Sequence, residues 1–186
     1  MINFNKLIKE IQDYDSQRED LIKKSRDLLK LTKQVIYAVH RDEIPQATKL
    51  IAEMKAVKKE VDALAQKNKK LQFEGSYKVA IQEYVEAVLY YEFIKSGQLV
   101  ELPVMAEYYL LGLCDLPGEL NRKAVFLAGK GEVEKVKKIR DEVDQIYGQL
   151  LKFDFRDNEI RKKVDAVKYE LRKLEDLVLN LKLSGR

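Results

Sequence analysis

The stretch IQEYVEAVLYYEFIKSGQLV (81–100), followed by YYLLGLCDLPGELNRKAV (108–125), decides how this chain folds. Between Val79 and Ile94 only Gln82, Glu83, Glu86 and Glu92 are strongly polar. Between Tyr108 and Leu120 only Asp115 and Glu119 carry charge. The apolar residues around them recur at helical spacing, and a helix that is apolar on every side belongs in an interior. The middle of the chain is therefore expected to be its core, and that core contains carboxylates.

Outward from this pair the pattern is amphipathic helix in both directions, which predicts six helices and no strand. A first helix over residues 3–39 carries Phe4, Leu7, Ile11, Tyr14, Leu21, Leu28 and Val35 at near-heptad spacing, interrupted by Arg18, Ser25 and Thr32. Its length exceeds what a small globule needs and suggests packing against other subunits. A second helix starts near Asp42 or Glu43, with Pro45 tolerated in its first turn, and dissolves in the lysine run 67–70. The third, 76–96, ends at Gly97, a plausible C-cap. The fourth, 104–128, is interrupted at Pro117-Gly118, where a kink, a fresh start or a boundary is expected. The fifth, after Gly131, and the sixth, 157–183, show clean heptad alternation. Helices one, two, five and six read as the outer helices of a single all-α domain over residues 1–186.

Composition agrees with that class. The chain has 186 residues, 35% of them charged and 46% hydrophobic, which excludes disorder and membrane character alike. No apolar stretch reaches the ~18–20 residues that span a bilayer. The N-terminal MINFNKLIKEIQ reads as amphipathic helix and not as a leader, so a cytoplasmic location is expected. Cys114 is the only cysteine and precludes an internal disulfide; a small buried hydrophobe is its simplest reading. A net charge of +4 permits a nucleic-acid partner without demanding one.

At about 100° per residue, Glu83, Glu86 and Tyr90 share one stripe of the third helix. Tyr108, Leu111, Asp115, Glu119 and Arg122 share one stripe of the fourth. If those faces meet, four carboxylates converge, which is costly unless cations neutralise them. Protein cations could do so: Arg122, Lys78 or Lys123 in a structural salt-bridge network. A divalent metal could also do so, and an all-oxygen set suits Mg²⁺ or Mn²⁺ rather than zinc. One carboxylate not engaged by metal, such as Glu86, would then orient or deprotonate water for phosphodiester cleavage. Spacing alone leaves these two readings level.

The same two strings resemble the signature helices of the translin superfamily. REDLIKKSRDLLKLTKQVIYAVHR (18–41) is similar to its first helix and RKKVDAVKYELRKLEDLVLNLKLSGR (161–186) to its closing one. The likeness runs in order through nearly the whole chain. It is nearest the translin-associated factor X branch, whose E-x-x-E and D-x-x-x-E patterns match Glu83, Glu86, Asp115 and Glu119. The resemblance implies a bundle of six or seven long helices in a hollow octameric shell, either of one chain or with a translin-like partner. It also implies a Mg²⁺-dependent endoribonuclease with those four acids as metal ligands and catalytic groups, acting on single-stranded or small structured RNA. The other branch implies a non-catalytic binder of single-stranded RNA or DNA.

One departure bears on binding. Before the glutamate pair, where the family carries histidines and arginines, this chain reads LQFEGSYKVA (71–80), with Glu74 and Ser76 at the histidine positions and Lys78 as the only cation. Contacts to the nucleic-acid backbone are then expected from Arg18, Lys23, Lys24, Arg26, Lys30, Lys33 and Arg41 of the first helix, with Lys78 and Arg122. For any single one of them a solvated helix face is the more ordinary reading. His40 is expected to face backbone carbonyls at a helix end, without a chemical role.

Overall fold

A computed structural model describes residues 2–185, which form two compact units, one ending at Gly97 and the other beginning at Gln98. Among the described residues there are six α-helices, one 3₁₀-helix and no strand.

The first unit holds α1 (Phe4–His40), α2 (Ile44–Gln66), a 3₁₀-helix (Lys69–Phe73) and α3 (Gly75–Ser96). The Asn3 side chain accepts the Lys6 backbone N–H and starts α1. Asp42 takes a left-handed φ of 61° in the turn to α2, a conformation that the short polar Asp tolerates better than most residues. α1 packs along both α2 and α3. Its interior face is Leu21, Ser25, Leu28, Thr32 and Val35, all fully buried. Ser25 and Thr32, read as interruptions, thus continue the core stripe. Thr32 Oγ1 meets its polar requirement by donating to the Leu29 carbonyl at 2.9 Å. Beyond the end of the shorter partners, Phe4, Leu7, Ile8 and Ile11 of α1 stand exposed. The lysine run does not simply dissolve: α2 ends at Gln66, and Asn68 caps the 3₁₀-helix by accepting the Lys70 N–H. Gly97, at φ 72°, ends α3 by donating to the Phe93 carbonyl.

The second unit holds α4 (Ala106–Gly129), α5 (Val133–Leu150) and α6 (Asn158–Leu183), each packed on the other two. α4 runs unbroken through Pro117, which is buried inside it, so the expected interruption is corrected. Pro117 removes one backbone donor, but the buried neighbours Leu116 and Leu120 hold the helix by packing where one hydrogen bond is missing. Gly131 supplies the φ of 76° in the turn to α5. Asp157 caps α6 by accepting the N–H groups of Glu159 and Ile160. α5 and α6 bury only their heptad positions, Val136, Ile139, Val143, Ile146 and Leu150 on one, and on the other a row that runs from Ile160 and Val164 through Leu174 to Leu181. Among the described residues no helix is long and apolar enough to cross a membrane.

Candidate functional site

The four acids divide between the units. On α3, Glu86 is buried and Glu83 half-buried in a helix whose other buried positions, Gln82 apart, are apolar or aromatic, among them Ile81, Val85, Leu89 and Tyr90. One turn beyond Glu86, the Tyr90 hydroxyl shares a 2.9 Å hydrogen bond with His40 Nδ1, and the two rings lie 4.9 Å apart. His40 therefore closes α1 onto the acidic stripe of α3, a contact that sequence spacing could not show. Elsewhere on α3, Tyr84 has its hydroxyl pKa pushed up by burial and then by the charge of Asp62.

On α4, Asp115 and Glu119 are half-buried, one helical turn apart. The expected neutralising cation, Arg122, is exposed. Instead Lys163 of α6 places its ammonium 2.5 Å from Asp115 Oδ1, each side chain 25% exposed. Lys123, also named in advance, is almost fully buried, with its ammonium 5.2 Å from the Phe126 ring centroid. A second link to α6 runs from Asn121 Nδ2 to Glu170 at 2.7 Å. Beside Asp115 the Cys114 thiol is pushed up to about 12, by burial first and by the Asp115 charge second, while Lys163 works the other way. It stays a protonated, inert thiol, as expected for a small buried hydrophobe.

Among the described residues no three His, Cys, Asp or Glu side chains are gathered into one ligand group. The donor chemistry nevertheless suits a hard cation: only carboxylate oxygens, and at Asp115 a carboxylate already holding a positive charge.

The predicted nucleic-acid contacts fare unequally. Arg18 is tied down, its Nε donating to Glu74 Oε2 at 2.9 Å while the Tyr14 hydroxyl donates to Glu74 Oε1 at 2.6 Å. Glu74, standing where a histidine was expected, thus anchors α1 to the start of α3. Arg41 donates to Glu43 at 2.7 Å yet stays largely exposed. Lys24 is bound to Glu60 at 2.6 Å. Lys78 is half-buried; Lys23, Arg26, Lys30, Lys33 and Arg122 are exposed. Sequence reasoning missed Lys163, whose role needs α6 laid on α4. It also missed the exposed Tyr37, which its helical spacing to Lys30 and Lys33 could have flagged.

The Translin family model matches residues 16–185. The chain belongs to the translin family. Among curated proteins it is 26% identical to translin-associated protein X of Pongo abelii over 232 residues, covering the whole of this chain and 79% of that one. Among solved structures, apo-NeC3PO is 27% identical with a TM-score of 0.89, over 97% of this chain and 98% of that one. AfC3PO, solved as a complex with duplex RNA, shares the fold at 22% identity and a TM-score of 0.91, over 98% of both chains. Within the translin family this chain is thus similar along its full length to the X-type members, as its acidic pattern implied.

Proposed function

We propose that this translin-family chain is a Mg²⁺-dependent endoribonuclease acting on single-stranded or small structured RNA in the cytoplasm. The observation that carries the reading is the pair of acids at helical spacing on each of α3 and α4, Glu86 buried and Glu83, Asp115 and Glu119 half-buried, an all-oxygen donor set of the kind that hard divalent cations take. Full-length similarity to translin-associated protein X supports the same reading. Glu83 and Glu86 on α3, and Asp115 and Glu119 on α4, are the acids that would serve as ligands of Mg²⁺ or Mn²⁺. Bound by them, the ion would activate water and stabilise charge on the phosphate. Glu86 would orient or deprotonate the attacking water, while Lys163 positions Asp115 and offsets its charge. RNA is the main partner, with single-stranded DNA a second ligand. The exposed Phe4, Leu7, Ile8 and Ile11 at the tip of α1 support contacts with further subunits, in a homo-octamer or with a translin-like chain.

The test is cleavage of a labelled single-stranded RNA by the pure protein in Mg²⁺ or EDTA, beside Asp115→Asn. Metal-dependent cutting lost in the variant is the expected result; cutting that persists in EDTA or in the variant would sink the reading. The Lys163–Asp115 pair favours one alternative, a non-catalytic binder of single strands in which the acids are structural. That protein would bind RNA and cut none.

A further inference from the structure

The positive charge of this chain is gathered on one length of α1. Residues 23–41 hold six cations, Lys23, Lys24, Arg26, Lys30, Lys33 and Arg41, against the single acid Asp27. That surplus exceeds the +4 of the whole chain. Earlier in the chain, residues 1–22 carry three bases and five acids, so α1 changes sign along its length.

The cations are ordered as well as concentrated. At about 100° per residue, Lys23, Arg26, Lys30, Lys33, Tyr37 and Arg41 fall within about a quarter of the helix circumference. All six are exposed, while the opposite face carries the fully buried Leu21, Leu28 and Val35. The stripe is therefore mounted on a rigid, packed element. At a rise of ~1.5 Å per residue it runs for about 27 Å, a length that serves several nucleotides. Lys24 points off the stripe and is held by Glu60. Within the stripe stands one aromatic ring: Tyr37 is 57% exposed, with the Arg41 guanidinium 5.7 Å from its centroid.

We propose that this face of α1 is a track for single-stranded RNA, in which Lys23, Arg26, Lys30, Lys33 and Arg41 take backbone phosphates and Tyr37 stacks on a base. The proposal rests on the reading of RNA as the ligand and names where it binds. Lysines and arginines attract phosphate without reading sequence. An exposed aromatic ring amid them adds a stacking surface, and only an unpaired base can use it. The acidic length of the same helix ends the track on one side. This also explains how the chain can dispense with the basic stretch before α3, whose position Glu74 uses to hold Arg18.

The experiment is binding of a labelled single-stranded oligoribonucleotide, measured in EDTA so that nothing is cut, at a series of salt concentrations. Five phosphate contacts give a slope of log affinity against log salt of about −3.5, at roughly −0.7 per contact. The double variant Lys30→Gln/Lys33→Gln should bring it to about −2. Tyr37→Ala should lose roughly tenfold in affinity with an unchanged slope, and Tyr37→Phe should bind as the parent does. All these positions are exposed, and unchanged thermal melting will show that the variants fold. If the double variant keeps the parental slope while the parent binds RNA, the track is wrong and the RNA reading stands. Tighter binding of a duplex with no effect of Tyr37→Ala also overturns it. If the parent binds no single strand at all, both fall together.

Discussion

The two units repeat one device in different surroundings. Each packs three α-helices and gives one of them a pair of acids at helical spacing, Glu83 and Glu86 on α3, Asp115 and Glu119 on α4. On α3 the inner acid is buried on a helix whose buried positions are mostly apolar or aromatic, with a Tyr90–His40 hydrogen bond one turn on. On α4 the first acid is half-buried and has a lysine from the neighbouring helix on it. Spacing places an acid on a face; what packs over that face decides its charge balance. On the proposed reading Glu86 would serve as the base and Asp115 as a cation ligand.

The largest expected effect tests whether both halves belong to one chemistry. Glu86→Gln and Asp115→Asn should each lower Mg²⁺-dependent RNA cleavage by at least about a hundredfold while leaving RNA binding intact. Loss in only one of them would confine the chemistry to one unit and break the symmetry.

Next, Lys163→Met should sharpen the contrast at Asp115. With the ammonium gone, calorimetry with Mn²⁺ should show roughly fivefold tighter binding, the equivalent of about 1 kcal/mol for a solvent-accessible ion pair. Lys163→Arg should stay near the parent. Weaker metal binding in the methionine variant would mean that Lys163 builds the site rather than competing for it.

The smallest effects separate the units by pH. Glu74, in the first unit, is held below the usual carboxylate range, chiefly by the Tyr14 hydroxyl and then by Arg18. Its contribution to stability is present above the ordinary carboxylate value and is lost as pH falls through the lowered one. Glu142, in the second unit, is pushed up by burial alone. Its favourable contribution is present below the ordinary value and is lost as pH rises through the raised one. Melting of Glu74→Gln and Glu142→Gln at pH 7 and pH 3 should thus show opposite signs. The Glu74 variant is the less stable one at pH 7, the Glu142 variant slightly the more stable one, within about 0.5 kcal/mol for a partly exposed site. Both differences shrink at pH 3. The same sign in both variants at pH 7 would refute the contrast.

Much of this molecule was legible beforehand. Six helices, their ends to within a few residues and the burial of α3 and α4 follow from periodicity and from Gly97 and Gly131. Pro117 misled, because a missing hydrogen bond reads as a break when the packing around it is unknown. Ser25 and Thr32 misled in the opposite sense: as small polar residues they look like interruptions, yet they fit where helices lie close. The 3₁₀-helix at Lys69–Phe73 was hidden in a run of lysines whose one signal was the capping Asn68.

What the sequence by itself determined is whatever repeats along one helix: the acidic pairs of α3 and α4, the heptad faces of α5 and α6, and the cations of α1. A helix turns by a fixed angle per residue, so residues sharing a face can be counted off without knowing anything else. Tertiary structure alone decided the partners: Lys163 on Asp115, Glu74 on Arg18 and Tyr14, His40 on Tyr90. These pairs lie 48 to 60 residues apart in the chain. No local periodicity relates such positions; packing of one helix on another does, and with it the charge that each acid meets.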